Sequence, residues 1–241
     1  MGSVKRRRGS SHAVSYRVPA LRRAPAQGWI ILRPMTDWEK RYAEPGYAFG
    51  TRPNDFLRES VDHLPPGPIL CLAEGEGRNA VWLAQRGYDV TAVDLSARGL
   101  QKARRLASDR KVQIKTLEAD LATFPIQAGA WAGIVSIFAH TTAAVRKRVH
   151  ASVVSGLRPG GVFLLEAYRP EQANLHTGGP ADDDRLLNLE RLKPELGALE
   201  WVIAREIERD VVEGKYHTGR SAVVQLVARK RPETVRLSDS R

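Results

Sequence analysis

Between residues 68 and 168, five short apolar runs rich in Val, Ile and Leu alternate with segments of helical periodicity. This alternation constrains the fold more than any other feature of the chain. Strands joined through helices need right-handed crossovers, and so build a largely parallel sheet covered on both faces. The runs are PILCLA, YDVTAVD, VQIKTLEAD, WAGIVSIF and VFLLEAY. Between them lie GRNAVWLAQRG, closed by Gly87, a helix opening at Ser96, and TTAAVRKRVHASVVSGL, followed by an RPGG turn. Upstream, DWEKRYAE and PNDFLRESVDHL read as short helices, the second stopped by PPGP.

Downstream the rhythm changes. A Gly/Pro/Asp-rich loop (170–184) leads to LLNLERLKPELGAL, a helix that Pro194 is expected to kink or divide. EWVIAREIERDVV and HTGRSAVVQLVAR then form a hairpin around EGKY. The expected fold class is α/β: a Rossmann-like, seven-stranded, mostly parallel sheet with a C-terminal antiparallel hairpin and helices on both faces.

The net charge of +11 suggests nucleic acid until it is divided along the chain. Residues 1–34 hold eight basic side chains and no acid. Taking those eight from the 38 basic residues leaves 30 against 27 acids, so the remainder is close to neutral. The expected organisation is a basic, disordered N-terminal extension over 1–34 and one domain over 35–241. The extension has the composition of a transit peptide or a nucleic-acid arm, and equally of an upstream extension before Met35. One cysteine, Cys71, excludes internal disulfides and suits a reducing cytosol. No apolar run approaches the roughly 20 residues that span a bilayer. The six histidines are scattered, so no metal site is expected.

GEGRNA, residues 75–80, fits G-x-G-x-x-G/A between a strand and a helix. Gly75 and Gly77 allow close backbone approach, and the helix N-terminus offers unpaired N–H groups. Asp94 ends the next strand, 19 residues beyond Gly75, where a carboxylate can accept hydrogen bonds from ribose hydroxyls. Asp120 ends the third strand at the same edge of the sheet, the edge at which open α/β sheets bind ligands. Glu74 and Glu76 would be unwelcome beside a pyrophosphate and suit a ligand with a cationic end. An NAD-dependent oxidoreductase fits the glycines equally well, but its six-strand parallel pattern lacks the terminal hairpin.

From Trp38 to Lys230 the chain resembles the class I S-adenosylmethionine-dependent methyltransferases, and within them the tellurite-resistance and thiopurine-type small-molecule branch. The resemblance rests on LCLAEGEGRN, TAVDLS, EAD, GLRPGGVFLLEAY and the strand order. It implies S-adenosyl-L-methionine as cofactor, held by Glu74, Gly75, Gly77, Arg78, Asn79, Asp94 and Leu95, with Asp120, Leu121 and Phe138 at the adenine and methyl ends. Trp38, Tyr42, Tyr47 and Phe49 stand where the family lids its site. His140 and Tyr168, at the ends of the fourth and fifth strands, are candidates for contact with the acceptor. The family's acid and first glycine are here Cys71 and Ala73, which leaves open a non-catalytic binder of the same cofactor.

The expected function is methyl transfer to a small molecule in the cytoplasm, with no membrane partner and no separate substrate domain. A nucleic-acid methyltransferase using the basic segment is the remaining alternative. Oligomeric state is not readable from the sequence.

Overall fold

The computed structural model describes residues 37–180 and 182–232; the basic segment 1–34 lies outside them. Helices α1 (Asp37–Tyr42) and α2 (Asp55–Ser60) precede strand β1 (Pro68–Leu72). Then come α3 (Arg78–Gln85), β2 (Asp89–Asp94), α4 (Ala97–Asp109), β3 (Lys115–Glu118) and β4 (Trp131–Ile137). The chain continues through α5 (Ala143–Gly156), β5 (Leu157–Tyr168), α6 (Leu189–Leu196), β6 (Glu200–Glu213) and β7 (His217–Arg229). All seven strands join one sheet in the order β3-β2-β1-β4-β5-β7-β6. The first five are parallel, while β7 runs antiparallel to both β5 and β6.

Strand residues alternate between two apolar layers, as the period of two requires. Ile69, Cys71, Val90, Ala92, Val135 and Leu164 face the layer built by Phe56, Leu57, Leu83 and Leu100 of α2, α3 and α4. Leu70, Leu72, Val93, Ile134 and Phe163 face Val149, Val153, Leu192 and Leu196 of α5 and α6. Both faces of the sheet are therefore covered, which accounts for the nearly unbroken apolar runs.

Local capping fixes the helix starts. Ser96 Oγ accepts the Gly99 N–H at 3.1 Å, and Asn54 Oδ1 accepts the Leu57 N–H at 2.9 Å. Two expectations need correction. Pro194 does not divide its helix: α6 starts after the Asn188 cap and runs through Pro194 to Leu196. The RPGG sequence does not precede β5 but lies inside it. The pairing with β4 shifts register between Trp131 and Gly133, and Gly160 takes φ 76° there.

The order of strands reverses between β1 and β4. Helices leave those two strands toward opposite faces, so their carboxyl ends open a crevice.

Candidate functional site

A cavity of about 400 Å³ occupies that crevice. Its floor is the turn after β1. There Ala73 takes φ 49°, Gly75 61° and Gly77 87°. A side chain at Gly75 would meet the Tyr42 hydroxyl at 2.5 Å, and one at Gly77 would meet Ala103 at 2.6 Å. The two glycines therefore let α1 and α4 press on the turn, and neither lines the cavity.

Cys71 and Ala73 are accommodated without disrupting this turn. Cys71 is fully buried in the apolar layer, where burial pushes its thiol pKa well up. Ala73 keeps the left-handed backbone that a glycine would take more readily. The task of anchoring the loop falls to Glu74, whose Oε1 accepts the N–H groups of Asn79 (2.9 Å) and Ala80 (2.8 Å) at the start of α3. Burial raises the Glu74 carboxyl to about 7, against the pull of those N–H groups and of Arg78. Among the described residues no group donates a hydrogen bond to its Oε2, and the residue lines the cavity. Glu76 is committed elsewhere: Ala48 N donates to Oε2 at 2.6 Å, and Lys102 Nζ to Oε1 at 2.7 Å.

Asp94 is buried at the cavity wall and takes the N–H groups of Gly75 and Ser96, both at 2.8 Å. Burial raises its pKa, with those N–H groups opposing. Asp120 is exposed at the rim, one oxygen accepting the Ala122 N–H at 2.8 Å. Leu95, Leu121 and Phe138 give the cavity an apolar strip, Phe138 at φ 53°. Asn79 lines the wall, while its Oδ1 accepts the Asn54 N–H at 2.9 Å.

Arg78 joins the cavity to a buried polar network. Its Nη2 donates to Glu213 Oε2 at 2.6 Å, and its Nη1 is buried with no partner. Asn54 Nδ2 bridges Glu213 (2.8 Å) and Glu166 (2.5 Å). Arg209 grips Glu166 with two hydrogen bonds of 2.8 Å, and Gln225 adds a third donor at 2.6 Å. Two buried carboxylates thus face two guanidinium groups. Burial alone would raise Glu213, but Arg78, His217 and Asn54 hold it down to about 2.

The segment before β1 closes the cavity from above. Trp38 stacks on Tyr42, Phe49 meets Trp38 tilted and Tyr42 edge-on, and all three line it. Tyr47 does not line it: its ring packs on α4, with the hydroxyl 3.4 Å from Lys102 O. Lys102 also donates to Glu44 O and Gly46 O, and Glu44 accepts from Tyr216 at 2.6 Å, so this cover is pinned at both ends.

The deep end is aromatic. His140 lines the cavity, its Nδ1 lies 3.4 Å from Arg185 O, and its Nε2 is sealed without a partner. Burial, then His217, lowers its pKa to about 3. Tyr168 lies behind the cavity wall. It is fully buried and stacked on His140 with ring centroids 5.4 Å apart. Burial pushes that phenol well above its ordinary pKa.

Sequence reasoning missed Asn54, Glu213 and His217. Asn54 was legible as a helix cap, whereas the other two sit in a hairpin whose pattern signals only strand. Among the described residues, no three His, Cys, Asp or Glu side chains gather as a metal site, and no helix is long and apolar enough to cross a membrane.

Residues 69–161 match the family model described as a methyltransferase domain. The chain is similar to a demethylmenaquinone methyltransferase of Thermus thermophilus, 31% identical over 118 residues, covering 47% of this chain and 54% of the relative. It is also similar to a 2-heptyl-1-hydroxyquinolin-4(1H)-one methyltransferase of Mycobacteroides abscessus, 24% identical over 130 residues, covering 53% and 57%. The chain thus spans about half the length of the curated relatives it matches. Among solved structures, TehB from Haemophilus influenzae superposes with a TM-score of 0.63 at 18% identity, covering 80% of this chain and 66% of TehB. At that identity the likeness shows the fold alone. Residues 69–161 thus resemble a methyltransferase domain, and one neighbour on this fold is an S-adenosylmethionine-dependent methyltransferase from Clostridium acetobutylicum, with a TM-score of 0.55 at 15% identity, covering 81% of this chain and 93% of that one.

Proposed function

We propose that the whole chain is an S-adenosylmethionine-dependent methyltransferase acting on a small, planar acceptor. One observation carries the reading: the carboxylates of Glu74, Asp94 and Asp120 and the guanidinium of Arg78 line one cavity at the switch point between β1 and β4. Their chemistry suits the cofactor group by group. Asp94 has lone pairs left for ribose hydroxyls beyond the two backbone donors that it already takes. Asp120, with the Leu121 backbone, suits the adenine amino edge, while Leu95, Leu121 and Phe138 suit the flat faces of the base. Arg78 lines the cavity, and its positive charge suits a carboxylate bound there. Glu74 Oε2 suits an ammonium.

Methyl transfer asks little covalent chemistry of a protein, because the sulfonium is already activated. The chain's task is to exclude water and to bring the acceptor in line with the departing sulfur. Trp38, Tyr42 and Phe49 cover the cavity, and Phe138 and His140 border its far end. A small acceptor is supported by this closed cover and by the named substrates of the two relatives, a quinone precursor and a hydroxyquinolone. Membership of the tellurite-resistance and thiopurine-type branch rests on the sequence motifs LCLAEGEGRN, TAVDLS, EAD and GLRPGGVFLLEAY. The non-catalytic reading was motivated by Cys71 and Ala73, and both are absorbed into the fold without loss of the turn.

Calorimetry with S-adenosylmethionine, followed by release of S-adenosylhomocysteine across a panel of quinols, hydroxyquinolones, thiols and tellurite, tests the reading. Tight binding with turnover of any acceptor supports the enzyme; binding without turnover leaves the non-catalytic alternative, and stabilisation by NAD(H) instead overturns both.

A further inference from the structure

His217 begins β7 directly opposite Glu213, the last residue of β6. It is 8% exposed, and its ring lines the cavity between Phe49 (centroids 4.5 Å apart) and Phe138 (4.9 Å). Of its two ring nitrogens, Nδ1 is sealed from solvent, has no hydrogen-bond partner and points toward Glu213 Oε2 at 3.7 Å. Nε2 is therefore the nitrogen left to the cavity.

We propose that His217 is the catalytic base of the transfer, oriented by Glu213, and that the acceptor reaches the site with its nucleophile protonated, as a ring hydroxyl. The proposal rests on the methyltransferase reading above.

The charges around His217 favour this role. Glu213 is already compensated by Arg78 at 2.6 Å and approached by Arg209 at 3.7 Å, so it does not require a charged imidazole at rest. Burial, together with Arg78 and Arg41, holds the His217 pKa below its ordinary value despite Glu213. The ring is thus neutral near pH 7 and offers a lone pair. When it takes a proton, the new charge lies beside a carboxylate that stays ionised, and the 3.7 Å separation can close to a charge-assisted hydrogen bond. His140 is the poorer base. Its Nδ1 faces the Arg185 carbonyl, which places the proton there, and the lone pair on Nε2 is sealed inside the protein. Tyr168 backs both imidazoles and has no lone pair directed into the cavity.

The step balances without an added reagent. The acceptor's O–H bond breaks as Nε2 takes the proton. The oxygen's electron pair forms the new O–CH3 bond while the carbon–sulfur bond breaks, leaving its pair on sulfur. The positive charge passes from sulfonium to imidazolium and is lost to water when the products leave. Phe49 and Phe138 flank the imidazole with flat apolar surfaces, which suits a hydroxyl carried on an aromatic or heteroaromatic ring.

The test compares the full-length protein with His217→Gln on two sets of ring hydroxyls, one protonated and one already ionised at the assay pH. A base contributes on the order of 100-fold or more. His217→Gln is expected to lose that factor in kcat on the protonated set, to lose under tenfold on the ionised set, and to bind S-adenosylmethionine normally. Glu213→Gln should shift the acidic limb of the pH–rate profile. Equal losses on both sets, or no loss on either, overturn the proposal. So does turnover by the native protein of proton-free nucleophiles only, an outcome that leaves the methyltransferase reading intact. Absence of cofactor binding by the native protein defeats that reading instead. Should the variant fail to fold, nitrogen-15 chemical shifts of His217 in the native protein decide: a neutral ring protonated on Nδ1 at pH 7 is expected, and a proton on Nε2 sinks the idea.

Discussion

Arg78 Nη2 lies 2.6 Å from Glu213 Oε2 across 135 residues of chain, both side chains buried, while Nη1 of the same guanidinium has no partner. One residue thus closes a structural pair and also lines the cavity. Arg78→Met should destabilise the fold by about 3 kcal/mol, because it strands a buried carboxylate, and should also weaken cofactor binding. Adding Glu213→Gln should recover much of the stability and none of the binding. Urea unfolding and calorimetry on the two variants separate the effects; recovery of both together would show that Arg78 has no ligand.

The same pair sets an acid limit. Glu213 is held at about 2, well below an unfolded glutamate near 4.5. Its contribution is therefore complete above pH 4.5 and drains away as the pH falls toward 2. Glu213→Gln should flatten the loss of thermal stability over that window.

Glu74 has the opposite sign. Its folded pKa of about 7 exceeds its unfolded value, so the folded protein holds the proton more tightly between pH 4.5 and 7. Ionising it costs about 3 kcal/mol of stability as the pH rises through that window. A cationic ligand group beside Oε2 would relieve the cost. S-adenosylmethionine should thus bind roughly fivefold more tightly at pH 7.5 than at pH 6, with release of a fraction of a proton. Calorimetry in buffers of different ionisation enthalpy reads both quantities, and Glu74→Gln should abolish the slope.

Asp94→Ala should weaken S-adenosylmethionine binding by about 1–3 kcal/mol through loss of a charged acceptor. The same change frees the Gly75 and Ser96 N–H groups, so the melting temperature should also fall. Asp120→Ala, at the exposed rim, should act on binding alone and less strongly. Unaltered affinity in a folded Asp94 variant would remove that residue from the site.

Ala73 sits at φ 49°, where an L-residue is strained. Ala73→Gly should raise stability by about 1 kcal/mol and leave the turn in place. A lower melting temperature would mean that the methyl group packs better than the backbone suffers.

The sheet was legible because its signals are local and repeated. Each apolar run names a strand, and the Gly87 stop and Ser96 cap mark helix ends. The RPGG bulge was not, because a turn sequence inside a strand is chosen by the neighbouring strand and not by the four residues. At the site, Asp94 and Asp120 were readable as strand ends. Glu74 was legible only as a charge: which way one oxygen turned depended on the bare N-terminus of α3. His217 was invisible for a different reason. Its place beside Phe49 and Phe138 joins segments that lie far apart in the chain, and no spacing records such a meeting.

Glu166 is wholly buried in β5, yet two of its three hydrogen-bonding partners, Arg209 and Gln225, belong to the final hairpin. During synthesis these arrive last. A chain that ends at Tyr168 would leave β5 at the edge of the sheet, with Asn54 alone to meet that carboxylate. Arg78 likewise waits for Glu213, and the cavity waits for its His217 wall. The hairpin therefore does more than widen the sheet: it turns an edge carboxylate into an interior one and brings the groups that neutralise it in the same step.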